Sequence, residues 1–153
     1  MKKILFLFVA LALFASCECD DHNCDGDQHK DCEKHITAKD GMFIHVSSDD
    51  PHRVLMALKM AELISEDHEV LMYFDIKGVE VLLKTSEDMA FAQFPSSHAQ
   101  IKKLLDSGVV IQACPGCLEA TGHTKDELMP GIVLADKERF FNFTKGRILT
   151  MDY

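Results

Sequence analysis

Leu104-Leu105-Asp106-Ser107-Gly108-Val109-Val110-Ile111-Gln112-Ala113-Cys114-Pro115-Gly116-Cys117 is the stretch that decides the fold. It reads as the end of a helix stopped at Gly108, then a short apolar strand from Val109 to Ala113, then a turn carrying two cysteines. Ser97 and Gln100 are spaced as a capping box ahead of Ile101, Leu104 and Leu105, so they mark the start of that helix. A strand that is apolar along its length, without alternation, is one covered on both faces, as in a parallel sheet.

Upstream the same grammar repeats. Met42 to Val46 is a short apolar strand. Asp50 then stands ready to cap a helix whose first turn holds Pro51. Val54, Leu55, Leu58, Ala61 and Ile64 recur at helical spacing up to about Ser65. Glu69 to Phe74 is a second apolar strand, followed by the turn Asp75-Ile76-Lys77-Gly78. Val79 to Leu83 fits a strand or a short helix equally. Thr85 to Pro95 is irregular. Downstream, a short helix from Pro115 to about Thr121 ends at Gly122, and Thr124 and Glu127 form another capping box. Ala135 to Phe143 is predicted helical, and Arg147 to Met151 is a final strand. Strands alternating with helices imply an α/β domain with a mainly parallel sheet of four to five strands and right-handed crossovers. Ligands on such sheets sit beyond the carboxyl ends of the strands, where Cys114 falls. No Gly-x-Gly-x-x-Gly follows the first strand, so nothing points to a dinucleotide.

The chain has 153 residues, enough for one core, and 47% of them are hydrophobic. A formal net charge of −9 and the absence of tryptophan exclude a phosphate-neutralising surface or an aromatic stacking platform, so no nucleic-acid partner is expected. Residues 1–16 have the form of an export signal. Met1-Lys2-Lys3 is positive, Ile4 to Phe14 is apolar, and Ala15-Ser16 supplies small residues; the run is shorter than the roughly 20 residues a membrane span needs. Leu13-Phe14-Ala15-Ser16-Cys17 resembles a bacterial lipobox, which implies lipidation of Cys17 and a membrane-anchored protein facing the periplasm or cell surface. Cleavage near Ala15 or Ser16 would instead leave a soluble periplasmic protein.

Residues 17–40 are an acidic tether, too poor in apolar residues to build a core. Cys19, His22, Cys24, His29, Cys32 and His35 lie in it as candidate ligands for zinc or copper. The competing reading is a solvated linker whose cysteines pair in an oxidising compartment.

A cysteine between a strand end and a helix start meets backbone N–H groups and the positive end of the helix dipole, both of which favour thiolate. Cys114 is therefore expected to be the reactive thiol, with Cys117 about one turn further on. Three explanations compete for the pair: redox or sulfur-transfer chemistry, a structural disulfide, or half of a metal site. Thioredoxin-like proteins place their Cys-x-x-Cys after an early strand, whereas this one follows a late strand. His123 is a candidate to sit near Cys114 as a thiolate-stabilising imidazole, or else an exposed loop residue. His45 is expected to be packed or hydrogen-bonded rather than a ligand. Asp75 and Glu80 do not suggest a two-carboxylate site. Met56, Met60, Met72 and Met89 occupy core-like positions.

From Gly41 to Tyr153 the chain resembles the DsrE/DsrF-like family, which includes the TusD type of sulfur-relay subunit. The resemblance is carried by Phe43-Ile44-His45-Val46 followed by a helix, by Val70 to Phe74 followed by Asp75 and Gly78-Val79, by Leu104 to Cys114, and by Glu127-Leu128-Met129-Pro130-Gly131-Ile132. It implies a Rossmann-like three-layer α/β domain assembling as a homo-oligomer, with Cys114 accepting sulfur as a persulfide from a donor and passing it to an acceptor. Cys117 is an addition many members lack, and it is placed to resolve such a persulfide as a disulfide. The export signal departs from the cytoplasmic relay members, so their role on tRNA does not carry over.

Overall fold

In the computed structural model, residues 40–153 are described. The export signal, Cys17 and the tether's Cys19, His22, Cys24, His29, Cys32 and His35 lie outside them.

Five strands and five helices follow one another: β1 Gly41–Val46, α1 Pro51–Ile64, β2 Glu69–Phe74, α2 Gly78–Val81, α3 Ser97–Asp106, β3 Val110–Ala113, α4 Pro115–Ala120, β4 Val133–Leu134, α5 Lys137–Phe143 and β5 Ile148–Asp152. They form one parallel sheet in the order β4-β3-β2-β1-β5. The α/β class and parallel sheet expected from the strand–helix alternation are those observed, with a two-residue β4 added at one edge. Val79 to Leu83 resolves as helical at α2.

Local chemistry explains where the elements begin. Asp50 caps α1, its carboxylate accepting from the Arg53 N–H at 3.0 Å, with Pro51 in the first turn. The capping box expected of Ser97 and Gln100 does not form. Ser96 occupies the cap position, Ser97 accepts the Met89 N–H at 2.9 Å, and Gln100 donates to the Pro95 carbonyl at 2.8 Å. Both side chains are buried and turn back to tie down the preceding irregular loop, so tertiary contact overrides the local motif. At Thr124 the box does form. The Glu127 carboxylate accepts from the Thr124 N–H at 2.7 Å, at the head of a single 3-10 turn.

Register decides which residues share a face. Ile44, Met72, Ile111 and Met151 are aligned across four strands, and Val46 aligns with Phe74. This face packs into the main core with Val54, Leu55 and Leu58 of α1 and Ile101 and Leu104 of α3, all buried. Each fully buried aliphatic side chain there contributes about 1.5–3 kcal/mol. The opposite face carries Phe43, against which Phe140 of α5 packs edge-on with ring centroids 5.5 Å apart.

Candidate functional site

On that second face, one position before the end of each central strand, the residue is polar. His45 of β1 pairs in register with Tyr73 of β2, Tyr73 with Gln112 of β3, and His45 with Asp152 of β5. A polar row thus crosses the sheet at its carboxyl edge. Cys114 and Asp75 each lie two residues beyond a member of the row, in the position just after the end of β3 and of β2.

Cys114 ends β3 and stands at the cap position of α4. Its N–H extends the ladder by donating to the Phe74 carbonyl at 2.8 Å, and its carbonyl accepts the Leu118 N–H at 3.0 Å. Pro115 occupies the first helical turn, where its missing N–H costs nothing. Cys117 follows one turn on; both thiols are half-buried and unpaired as a disulfide.

Their surroundings separate the two sulfurs. Burial works against a Cys114 thiolate, but hydrogen bonds from the Tyr73 hydroxyl, from the Cys117 N–H and thiol, and from the Gly116 N–H outweigh it, so Cys114 ionises below the ordinary thiol range. For Cys117 the largest influence is a hydrogen bond from the Ile76 N–H, which favours its thiolate. The Cys114 partner, burial and the charges of Cys114 and Asp75 together exceed that and push Cys117 up. Tyr73 is raised well above the usual phenol range, by burial first and then by its bond to Cys114, so it remains a donor. Of the two sulfurs, Cys114 is therefore the one that ionises first, beside the Tyr73 hydroxyl.

The Ile76 N–H is aimed by an uncommon turn. Ile76 has φ 48°, in the left-handed region that β-branched residues rarely occupy, and its side chain is exposed. The turn is closed by the Gly78 N–H donating to the Asp75 carbonyl at 2.7 Å. Gly78 is required because a Cβ there would lie 2.2 Å from the Val46 carbonyl oxygen.

His45 lies between two carboxylates. Nδ1 is 2.8 Å from Asp152 Oδ1 in a hydrogen bond. Nε2 is 2.8 Å from Asp75 Oδ1, too bent for a straight hydrogen bond and therefore an ion contact, with both atoms closed off from solvent. Burial disfavours the imidazolium, but the two carboxylates outweigh it and raise the His45 pKa above its ordinary value.

The structure thus brings Cys114 and Cys117 together, and gives His45 the hydrogen-bonded place expected of it. His123 meets Glu127 instead, Nδ1 to Oε1 at 3.2 Å, and lines a surface groove with Glu80, Asp49 and Ser86. The sequence points to neither Tyr73, Gln112 nor the Ile76 N–H, and weighs Asp75 only against a two-carboxylate site. A signal for three of the row existed: His45, Tyr73 and Gln112 are each the penultimate residue of a strand, set directly after a run of apolar residues. Among the described residues, no cluster of three His, Cys, Asp or Glu side chains is arranged to hold a metal ion, and no helix is long and apolar enough to cross a membrane.

Solved structures share this fold. A protein of unknown function, MTH1491 from Methanobacterium thermoautotrophicum, matches with a TM-score of 0.60 at 20% identity, over 74% of this chain and 98% of its own. The ychN protein from E. coli matches with a TM-score of 0.59 at 12% identity, over 75% and 98%. A conserved protein of unknown function, BT1422 from Bacteroides thetaiotaomicron, gives 0.56 at 17% identity, over 77% and 100%. At these identities it is the fold that is shared. No curated protein matches by sequence. Residues 42–147 match the family that the strand–helix pattern and its cysteine suggested, and the chain belongs to the DsrE/DsrF-like family.

Proposed function

We propose that the chain is a sulfur carrier of the cell envelope in which Cys114 accepts sulfane sulfur. The observation that carries this reading is the Cys114 thiol at the carboxyl edge of a parallel sheet and at the cap position of α4, beside Tyr73, whose hydroxyl favours its thiolate. The Met1–Ser16 pattern supports the envelope setting.

The transfer balances as a thiol exchange. Cys114 thiolate attacks the outer sulfur of a donor persulfide. The donor's S–S bond breaks, its thiolate leaves, and a Cys114 persulfide forms. An acceptor thiolate then takes the outer sulfur and regenerates Cys114. In the absence of an acceptor, Cys117 attacks the Cys114 sulfur itself, forming the Cys114–Cys117 disulfide. The outer sulfur leaves as hydrogen sulfide carrying the Cys117 proton, and a thiol reductant returns two electrons to reset the pair.

Intact-mass analysis after incubation with polysulfide tests the reading. The wild type gains sulfur at the peptide containing Cys114, and Cys114→Ser gains none there while keeping its melting temperature. A wild type that takes up no sulfur at that peptide defeats the proposal.

A further inference from the structure

A continuous chain of contacts runs from the last turn of β1 to the second thiol. His45 Nε2 meets Asp75 Oδ1 at 2.8 Å with both atoms withdrawn from solvent. Asp75 and Ile76 share the peptide whose N–H donates to Cys117. That peptide sits in a turn held at both ends: the Asp75 N–H donates to the Val46 carbonyl at 3.1 Å, and the Asp75 carbonyl accepts from Gly78. The left-handed backbone at Ile76 is strained for a β-branched residue, and such a conformation persists only where its surroundings over-determine it.

From this geometry we infer that His45 is a positioning residue for the thiol pair: gripping Asp75, it fixes the Asp75–Ile76 peptide on Cys117 and screens the Asp75 charge from that sulfur, and so governs how readily Cys117 closes on Cys114. The inference rests on Cys117 as the resolving thiol of the function proposed above, and adds the group that controls it.

The charged and titratable groups around His45 come from every neighbouring element. β2 contributes Tyr73, whose ring centroid is 5.8 Å from that of His45. The turn after β2 contributes Asp75, and β5 contributes Asp152. Lys77, next in the turn, is 3.6 Å from Asp49 and is paired there. His45 is thus the basic group in contact with Asp75. A neutral ring has only one N–H and cannot donate to both carboxylates. Losing its proton frees the Asp75 charge to face Cys117 and loosens the turn that aims the Ile76 N–H. Both effects oppose the Cys117 thiolate, so closure depends on His45 in one direction, whereas removing the Asp75 charge acts in the other.

The test uses the full chain and oxidised glutathione, which reads closure without any sulfur-carrier chemistry. Cys114 thiolate attacks glutathione disulfide and releases one glutathione thiolate. Cys117, after losing its proton to solvent, displaces the second, so two electrons pass from the cysteines to glutathione. Closure is followed against pH by mass spectrometry of the peptide carrying both thiols, which excludes the tail cysteines. His45→Gln is expected to move the closure midpoint up by about half to one pH unit, roughly 3–10-fold slower near neutrality. Asp75→Asn removes the charge but keeps the size of the side chain, an amide that can still meet His45, and the backbone bonds that hold the turn, and is expected to move the midpoint down. A purely structural role would move both variants the same way or neither, and that result overturns the inference. Where His45→Gln does not fold, Asp75→Asn alone decides: a downward shift supports the inference, and no shift or an upward one overturns it. A wild type that closes normally with glutathione yet takes up no polysulfide sulfur defeats the proposed function alone.

Discussion

Ile44 and His45 are adjacent in β1, yet they belong to different worlds. Ile44 aligns with Met72 and Ile111 in an apolar face packed into the core with α1 and α3. His45 aligns with Tyr73, Gln112 and Asp152 in a row that is half open and carries charge. The difference teaches how a small domain keeps stability and chemistry apart while using the same strands. A period of two sends alternate side chains to opposite faces, so one face is free to hold groups that burial alone would penalise.

That division can be broken from either side. Leu55, fully buried beneath the apolar face, supplies packing only; Leu55→Ala is expected to cost about 2–5 kcal/mol in urea unfolding while the folded fraction still loads sulfur normally. Loss of loading per folded molecule would show that the faces are not separate. On the polar face, Tyr73→Phe removes the donor to Cys114. Since that donor favours the thiolate, the Cys114 alkylation midpoint should rise, slowing alkylation near neutrality by roughly 3–10-fold, with stability changed by only about 1 kcal/mol. An unchanged midpoint would remove Tyr73 from the site.

Gln112 sharpens the comparison most finely. It is fully buried, and neither atom of its side-chain amide has a hydrogen-bond partner among the described residues. An apolar side chain of similar volume escapes that desolvation penalty, so Gln112→Leu is expected to stabilise the fold by about 1 kcal/mol in the same urea assay. Destabilisation would mean that the amide is a packing element of the row rather than a burden the row carries.

Much of this was legible in the chain. The helix stop at Gly108, the apolar strands and the Asp50-Pro51 helix start are local features, and local steric and hydrogen-bonding preferences place them. Cys114 was legible for the same reason, because a strand-to-helix junction is local. The row was harder to see. Tyr73 and Gln112 are separated by 39 positions, and nothing within either strand says that they become neighbours. Ser97 and Gln100 mislead for the converse reason: as a local motif they spell a cap, but their buried side chains find partners in the loop ahead of them, at Met89 and Pro95. Of the two readings open for His123, the loop residue is the one that its contact with Glu127, four residues on, fits.

The sequence by itself determined the alternation of strands and helices, the parallel sheet, and the cysteine at the carboxyl end of a strand, since each follows from forces acting within a few residues. Only the tertiary structure decided that Tyr73 donates to Cys114, that the Ile76 peptide faces Cys117, and that His45 is gripped by Asp75 and Asp152. Those contacts depend on strand order and register, which are settled by burial of the whole apolar face at once and by no single segment of the chain.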